Sequence, residues 1–189
     1  MKKWIASAVL LWAITGNGMV YATPEHEHPD KSAGQTQGKI ESETQGKRMV
    51  SIYDGSGKEI GKAVVFQEGN GVRVEVKVSG LTPGQHGFHI HEKAFTDFDF
   101  KTSGEHLNPG HRQHGFDNPK GFHMGDMTNL EVKEDGTGEN SFLIEGANLA
   151  KNSPQSLLGR SIIIHAQPDD YKTDPAGNSG ERIAGGNIQ

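Results

Sequence analysis

The chain has 189 residues, enough for one domain of ordinary size with appendages, and carries a formal charge of −5. That acidic balance argues against a nucleic-acid partner, because phosphate binding needs a basic face. There is no cysteine, so disulfides, thiolate metal ligands and a thiol-linked lipid are excluded, and any metal must be held by His, Asp or Glu.

At the N-terminus Lys2 and Lys3 precede an apolar stretch from Trp4 to Ile14, and Val20-Tyr21-Ala22 places small residues at cleavage offsets. Residues 1–22 therefore read as a secretory signal peptide. The stretch is short for a transmembrane span, so the expectation is an exported protein (periplasmic, cell-envelope or extracellular) with no stable membrane insertion once mature. A retained N-terminal anchor is the alternative. Cleavage removes Lys2 and Lys3 and no acid, taking the formal charge from −5 to −7. Residues 23–46 are polar and nearly free of aliphatics, a flexible segment with nothing to offset its ordering entropy. Within it, His26-Glu27-His28 reads first as solvated tail and second as a weak metal chelator.

The domain is expected over residues 47–189. Met49 to Tyr53 and Gly61 to Gln67 read as strands, with turn signals at Asp54-Gly55-Ser56-Gly57 and Asn70-Gly71. Val72, Val74, Val76 and Val78 alternate with Arg73, Glu75, Lys77 and Ser79, the pattern of a half-buried antiparallel strand. Leu81-Thr82-Pro83-Gly84 is a turn leading into Gly87-Phe88-His89-Ile90-His91. On an extended strand His89 and His91 face the same side, so both rings can reach one ion. Residues 94 to about 128 lack periodicity and read as a long functional loop. Strands resume at Asn129 to Lys133, Asn140 to Glu145 and Arg160 to His165, and a last one begins near Arg182. Eight short strands with turns between them, and no convincing helix, specify an all-β sandwich or barrel with two long loops.

Seven of the ten histidines fall between residues 86 and 123, a clustering that favours metal binding over scattered structural roles. His106, His114, His123 and Asp126 form a three-nitrogen, one-oxygen set suited to tetrahedral zinc. His89, His91 and His165 offer imidazoles alone, which suit copper, zinc, iron or nickel, and spacing does not choose among them. His86 and His111 read as surface or hydrogen-bonding residues.

The ordered blocks Gly87-Phe88-His89-Ile90-His91-Glu92, Gly104-Glu105-His106-Leu107-Asn108-Pro109, His114-Gly115, His123-Met124-Gly125-Asp126, Ile164-His165-Ala166 and Gly177-Asn178-Ser179-Gly180-Glu181-Arg182 resemble the copper/zinc superoxide dismutases from about Val50 to Gly186. The resemblance implies an eight-stranded Greek-key β-barrel. It implies copper on His89, His91, His106 and His165, with His106 bridging to zinc held also by His114, His123 and Asp126. Asp169 would link a copper-site to a zinc-site histidine, and Arg182 would be the active-site arginine. The implied reaction converts superoxide to oxygen and hydrogen peroxide by redox cycling of copper, with His106 passing a proton. The family's usual disulfide is missing, its positions falling on Phe100 and Gly185; packing of a buried Phe100 is expected to offset part of that loss. Two other functions stay open: a catalytically silent zinc-binding relative, and an extracytoplasmic copper buffer loaded through His26 and His28. The sequence leaves the oligomeric state undetermined.

Overall fold

A computed structural model describes residues 46–189; the expected signal peptide and the His26-Glu27-His28 motif lie outside them. Among the described residues, nine strands form one antiparallel sheet: β1 Arg48–Asp54, β2 Glu59–Glu68, β3 Gly71–Val78, β4 Gly84–His86, β5 Phe88–His91, β6 Leu130–Val132, β7 Gly138–Glu145, β8 Ser161–His165 and β9 Arg182–Asn187. Their spatial order is β4-β6-β7-β3-β2-β1-β9-β8-β5. The two outermost strands are consecutive in the chain and separated only by Gly87, so the sheet curls until its edges nearly meet. The result is a nearly closed barrel, as expected.

The ninth strand is the departure from the sequence reading. Gly84, the last residue of the expected turn, pairs with β6 together with Gln85 and His86, while Phe88–His91 pairs with β8. The break falls at Gly87 because its amide donates to Gln167 O and its carbonyl accepts from His165 N, both at 2.8 Å. A Cβ there would stand 2.7 Å from Ser179 Cβ. Only glycine admits the second loop this closely.

The core follows from alternation. Val72, Val74, Val76 and Val78 are buried at 0–5% exposure, while Glu75 and Lys77 face solvent. Burying each such valine contributes about 1.5–3 kcal/mol before chain entropy is counted. Phe88 and Ile90 of β5, with Ile162 and Ile164 of β8, join the same core. The opposite faces of these two strands carry His89, His91, Ile163 and His165, which are also buried. Two long connections, 92–129 and 166–181, cover that outer face and exclude water from it.

Candidate metal centre

Strand β5 fixes the spacing of the first two imidazoles. The long loop then adds to the free edge of β5: Ile90 N donates to Gly125 O, Leu107 N to Ile90 O, and Gly125 N to Leu107 O, each at 2.8 Å. These bonds set His106 opposite His91 and Asp126 opposite His89. A Cβ on Gly125 would lie 2.2 Å from Ile90 O, so the close approach requires glycine. On the other side β8 brings His165 alongside, with an irregularity in its pairing to β9 between Ile164 and His165.

The side chains meet in two buried groups that share His106. His89, His91, His106 and His165 each place one ligand atom within 4.8 Å of the others, and so do His106, His114, His123 and Asp126. Every one of these residues is at most 6% exposed. Every metal-site residue expected from the sequence is therefore brought together. His111 is exposed and outside both groups. His86 proves buried, with Nδ1 2.7 Å from His165 O and Nε2 2.8 Å from Thr82 O; of its two expected roles, the hydrogen-bonding one holds.

In the first group each ring has one nitrogen anchored and one left over. His89 Nε2 donates to Asp169 Oδ2 at 2.8 Å, His91 Nδ1 to Gly104 O at 2.9 Å and His165 Nδ1 to Gly180 O at 3.1 Å. The remaining nitrogens, His89 Nδ1, His91 Nε2 and His165 Nε2, are buried without a protein partner, as is His106 Nε2. Four orphaned imidazole nitrogens aimed at one point are costly unless something accepts their lone pairs. Burial is the leading reason these rings stay neutral: His89 is pushed down to about 3, with the neighbouring His106 adding to the effect and Asp169 opposing it. His165 is pushed down to about 4, again mainly by burial. Neutral imidazoles with free lone pairs fit a copper or other transition-metal ion.

The second group centres on a carboxylate. Asp126 Oδ2 accepts the backbone amides of Gly115 and His123, both at 2.9 Å. That leaves Oδ1 facing His106 Nδ1 at 2.9 Å, His114 Nδ1 at 3.0 Å and His123 Nδ1 at 3.3 Å. Three nitrogens and one oxygen converging in this way fit a tetrahedral zinc site. Burial favours the neutral form of Asp126, but the three imidazoles outweigh it and hold the carboxyl far below the usual range.

Asp169 joins the groups from outside. Its Oδ1 accepts His114 Nε2 at 2.9 Å while Oδ2 takes His89. Burial works against the charge on His114, yet Asp126 and Asp169 raise it to about 9. The second loop that carries Asp169 is tied to the first by a reciprocal pair, Asp169 N to Asn129 Oδ1 at 2.8 Å and Asn129 Nδ2 to Asp169 O at 3.0 Å. Arg182, at the start of β9, has Nη1 on Phe100 O at 3.0 Å and on Ser103 Oγ at 3.1 Å. Arg182 stands opposite His165 in the β8–β9 register, which places it beside the first group, and its positive charge helps depress His91 and His165. Sequence reasoning missed the carbonyls of Gly104 and Gly180 and the Ser179 hydroxyl, which lies 3.1 Å from His165 Nδ1.

A family model described as copper/zinc superoxide dismutase (SODC) matches residues 59–188. The chain belongs to the copper/zinc superoxide dismutase family. It is similar to Superoxide dismutase (Cu-Zn) 1 of Aquifex aeolicus (strain VF5), 40% identical over 148 residues that span 76% of this chain and 88% of that one. It is 38% identical to the superoxide dismutase-like protein YojM of Bacillus subtilis (strain 168) over 143 residues, 72% of this chain and 73% of that one. The crystal structure of a superoxide dismutase-like protein from Bacillus subtilis superposes with a TM-score of 0.71 at 36% identity, covering 75% of this chain and 98% of that one. Membership thus rests on both sequence and fold. Phe100 and Gly185, the positions on which the family's missing disulfide falls by resemblance, are occupied by packing instead. Phe100 is buried edge-to-face on Phe95, ring centroids 4.9 Å apart, and a Cβ on Gly185 would meet Phe95 Cε1 at 3.2 Å.

Proposed function

We propose that this chain is an active superoxide dismutase that holds copper on His89, His91, His106 and His165, and zinc on His106, His114, His123 and Asp126. The observation that carries the reading is the set of four orphaned, buried imidazole nitrogens, one of them on a ring that also serves the second group. Copper, when bound, supplies the one-electron exchange by which one superoxide becomes oxygen and another becomes hydrogen peroxide. The chain's residues do the rest. Arg182 stays cationic and draws a small anion toward the first group against an overall acidic protein. His106 Nε2, when its lone pair is not taken by the metal, would hold and deliver one of the two protons that hydrogen peroxide needs, the other coming from water, while its Nδ1 stays on the Asp126 side. Asp169 sets the ring orientations of His89 and His114. No helix among the described residues is long and apolar enough to cross a membrane, and we place the mature protein outside the cytoplasm on the strength of residues 1–22.

The test is metal content together with superoxide consumption by the purified mature protein. One copper and one zinc per chain with fast turnover supports the reading, whereas zinc alone, or copper without turnover, overturns it. Replacing Arg182 with Ile should lower activity and its salt sensitivity while both metals stay bound. Similarity to a protein described only as superoxide dismutase-like favours the second reading, a zinc-stabilised relative without turnover. The same assay separates the two.

A further inference from the structure

We infer that Asp174 is a positioning residue for the second group: its carboxylate orients His123 from the outer side, so that the second loop grips two zinc-side rings, one through Asp169 and one through Asp174. The inference rests on the zinc half of the proposed reading and not on turnover. His106, His114 and His123 each turn Nδ1 toward Asp126 Oδ1. A neutral imidazole that offers one nitrogen as a ligand carries its proton on the other, and an acceptor for that N–H fixes the ring. The far nitrogen of His106 serves the first group. That of His114 is held by Asp169 Oδ1 at 2.9 Å. That of His123 opens into a groove lined by Glu92, Glu105 and Asp174 among others. Of these three carboxylates only Asp174 comes within 4 Å of a His123 nitrogen, with Oδ1 3.9 Å from Nε2. At that separation the contact is electrostatic and not a formed hydrogen bond.

The carboxylate is held in place from behind. Asp174 Oδ1 also accepts the backbone amide of His114 at 2.7 Å, so one oxygen serves the main chain of one zinc-side residue and the ring of another. The residues before Asp174 lie along the first loop: Tyr171 O accepts Asp117 N at 2.9 Å and Lys172 O accepts Asn118 Nδ2 at 3.3 Å. A Cβ on Gly115 would fall 2.1 Å from Tyr171 O, so the two loops meet backbone to backbone at this point. The side chain of His123 is 7% exposed and that of Asp174 is 46% exposed, so solvent screens part of the attraction.

Two measurements on Asp174→Ala and Asp174→Asn in the purified mature protein test this. The first is competition for zinc against a chromogenic chelator. The zinc dissociation constant should rise about tenfold in Asp174→Ala, the lower end for an outer partner of a ligating histidine because the carboxylate is half exposed. Asparagine keeps an oxygen for the His114 amide but loses the charge, which about halves the interaction, so a rise of about threefold is expected there. The second measurement is the 1H–15N signal of His123 Nε2–H in the zinc-loaded protein. It should shift and exchange faster with solvent in both variants, while the His114 Nε2–H on Asp169 stays where it is. A carboxylate that only capped the His114 amide would leave the His123 signal unmoved in Asp174→Asn, which also keeps the test decisive if Asp174→Ala fails to fold. Wild-type zinc affinity with an unmoved His123 signal in Asp174→Asn overturns the inference, and so does a loss of affinity in which the His114 signal moves as far as that of His123. A wild-type protein that binds no zinc overturns the zinc reading and the inference together. One that binds both metals without turnover sinks the dismutase reading alone and leaves the role of Asp174 standing.

Discussion

Asp169→Asn tests the link between the two candidate metal-binding groups with almost no change of shape. The carboxylate accepts from His89 Nε2 at 2.8 Å and from His114 Nε2 at 2.9 Å, and it is 3% exposed. Burial favours its neutral form, but the two imidazoles and the Tyr171 amide hold it well below the usual carboxylate range. Asparagine keeps one acceptor oxygen and turns an amide N–H toward the other ring's N–H. One charge-assisted hydrogen bond, about 1.5–3 kcal/mol, is lost and the ring behind it is free to change tautomer. An outer partner of a ligating histidine is worth about 10- to 100-fold in metal affinity, or about 1.4–2.7 kcal/mol, so the two estimates agree. The backbone pairing with Asn129 survives the substitution, which protects the loop itself. Chelator-competition titrations of zinc and copper, with circular dichroism as the fold control, read the effect. Affinities for both metals equal to the wild type would refute the reasoning.

Gly125→Ala should destabilise by at least about 1–3 kcal/mol, since its Cβ would strike a strand carbonyl that cannot move away cheaply; an unshifted chemical-denaturation midpoint would contradict the strap described for the loop. Zinc at about a hundredfold its dissociation constant should stabilise the apo protein by about 2.7 kcal/mol, roughly 5–11 °C in Tm, and a chelator should reverse the gain. A Tm indifferent to zinc counts against the second group as a metal site. Asp170 bonds first to Thr173 Oγ1 and also to backbone amides and Asn178, which hold it down to about 2. Because its folded value lies below the ordinary one, its contribution is present above the ordinary aspartate range and is lost as pH falls through about 2. A 13C carboxyl titration with its midpoint at the ordinary value would overturn that.

Some of this was legible from residue types alone. The valine alternation of β3 has a period that only a half-buried strand satisfies, and the structure buries those valines. The candidate ligand set was legible because imidazoles are rare and these were crowded into one stretch, whereas the proposal of copper and zinc came from family resemblance. The break at Gly87 left no local mark, because its cause is Gln167 and Ser179, which arrive from eighty or more residues along the chain. The anchors at Gly104 and Gly180 are carbonyls, a group every residue carries, so no side chain announces them. His86 shows the same limit: its burial depends on a backbone oxygen of His165 on another strand.

The loop that brings His106 and Asp126 to β5 also occupies that strand's outer hydrogen-bonding groups. β5 ends the sheet order, and its free side is met by Gly125, Leu107 and, just beyond it, Glu105. An uncovered edge reading Phe-His-Ile-His would be a template for pairing with another molecule. Any condition that loosens the loop therefore exposes a site for self-association, and the integrity of the candidate metal centre becomes a guard on the protein's colloidal fate.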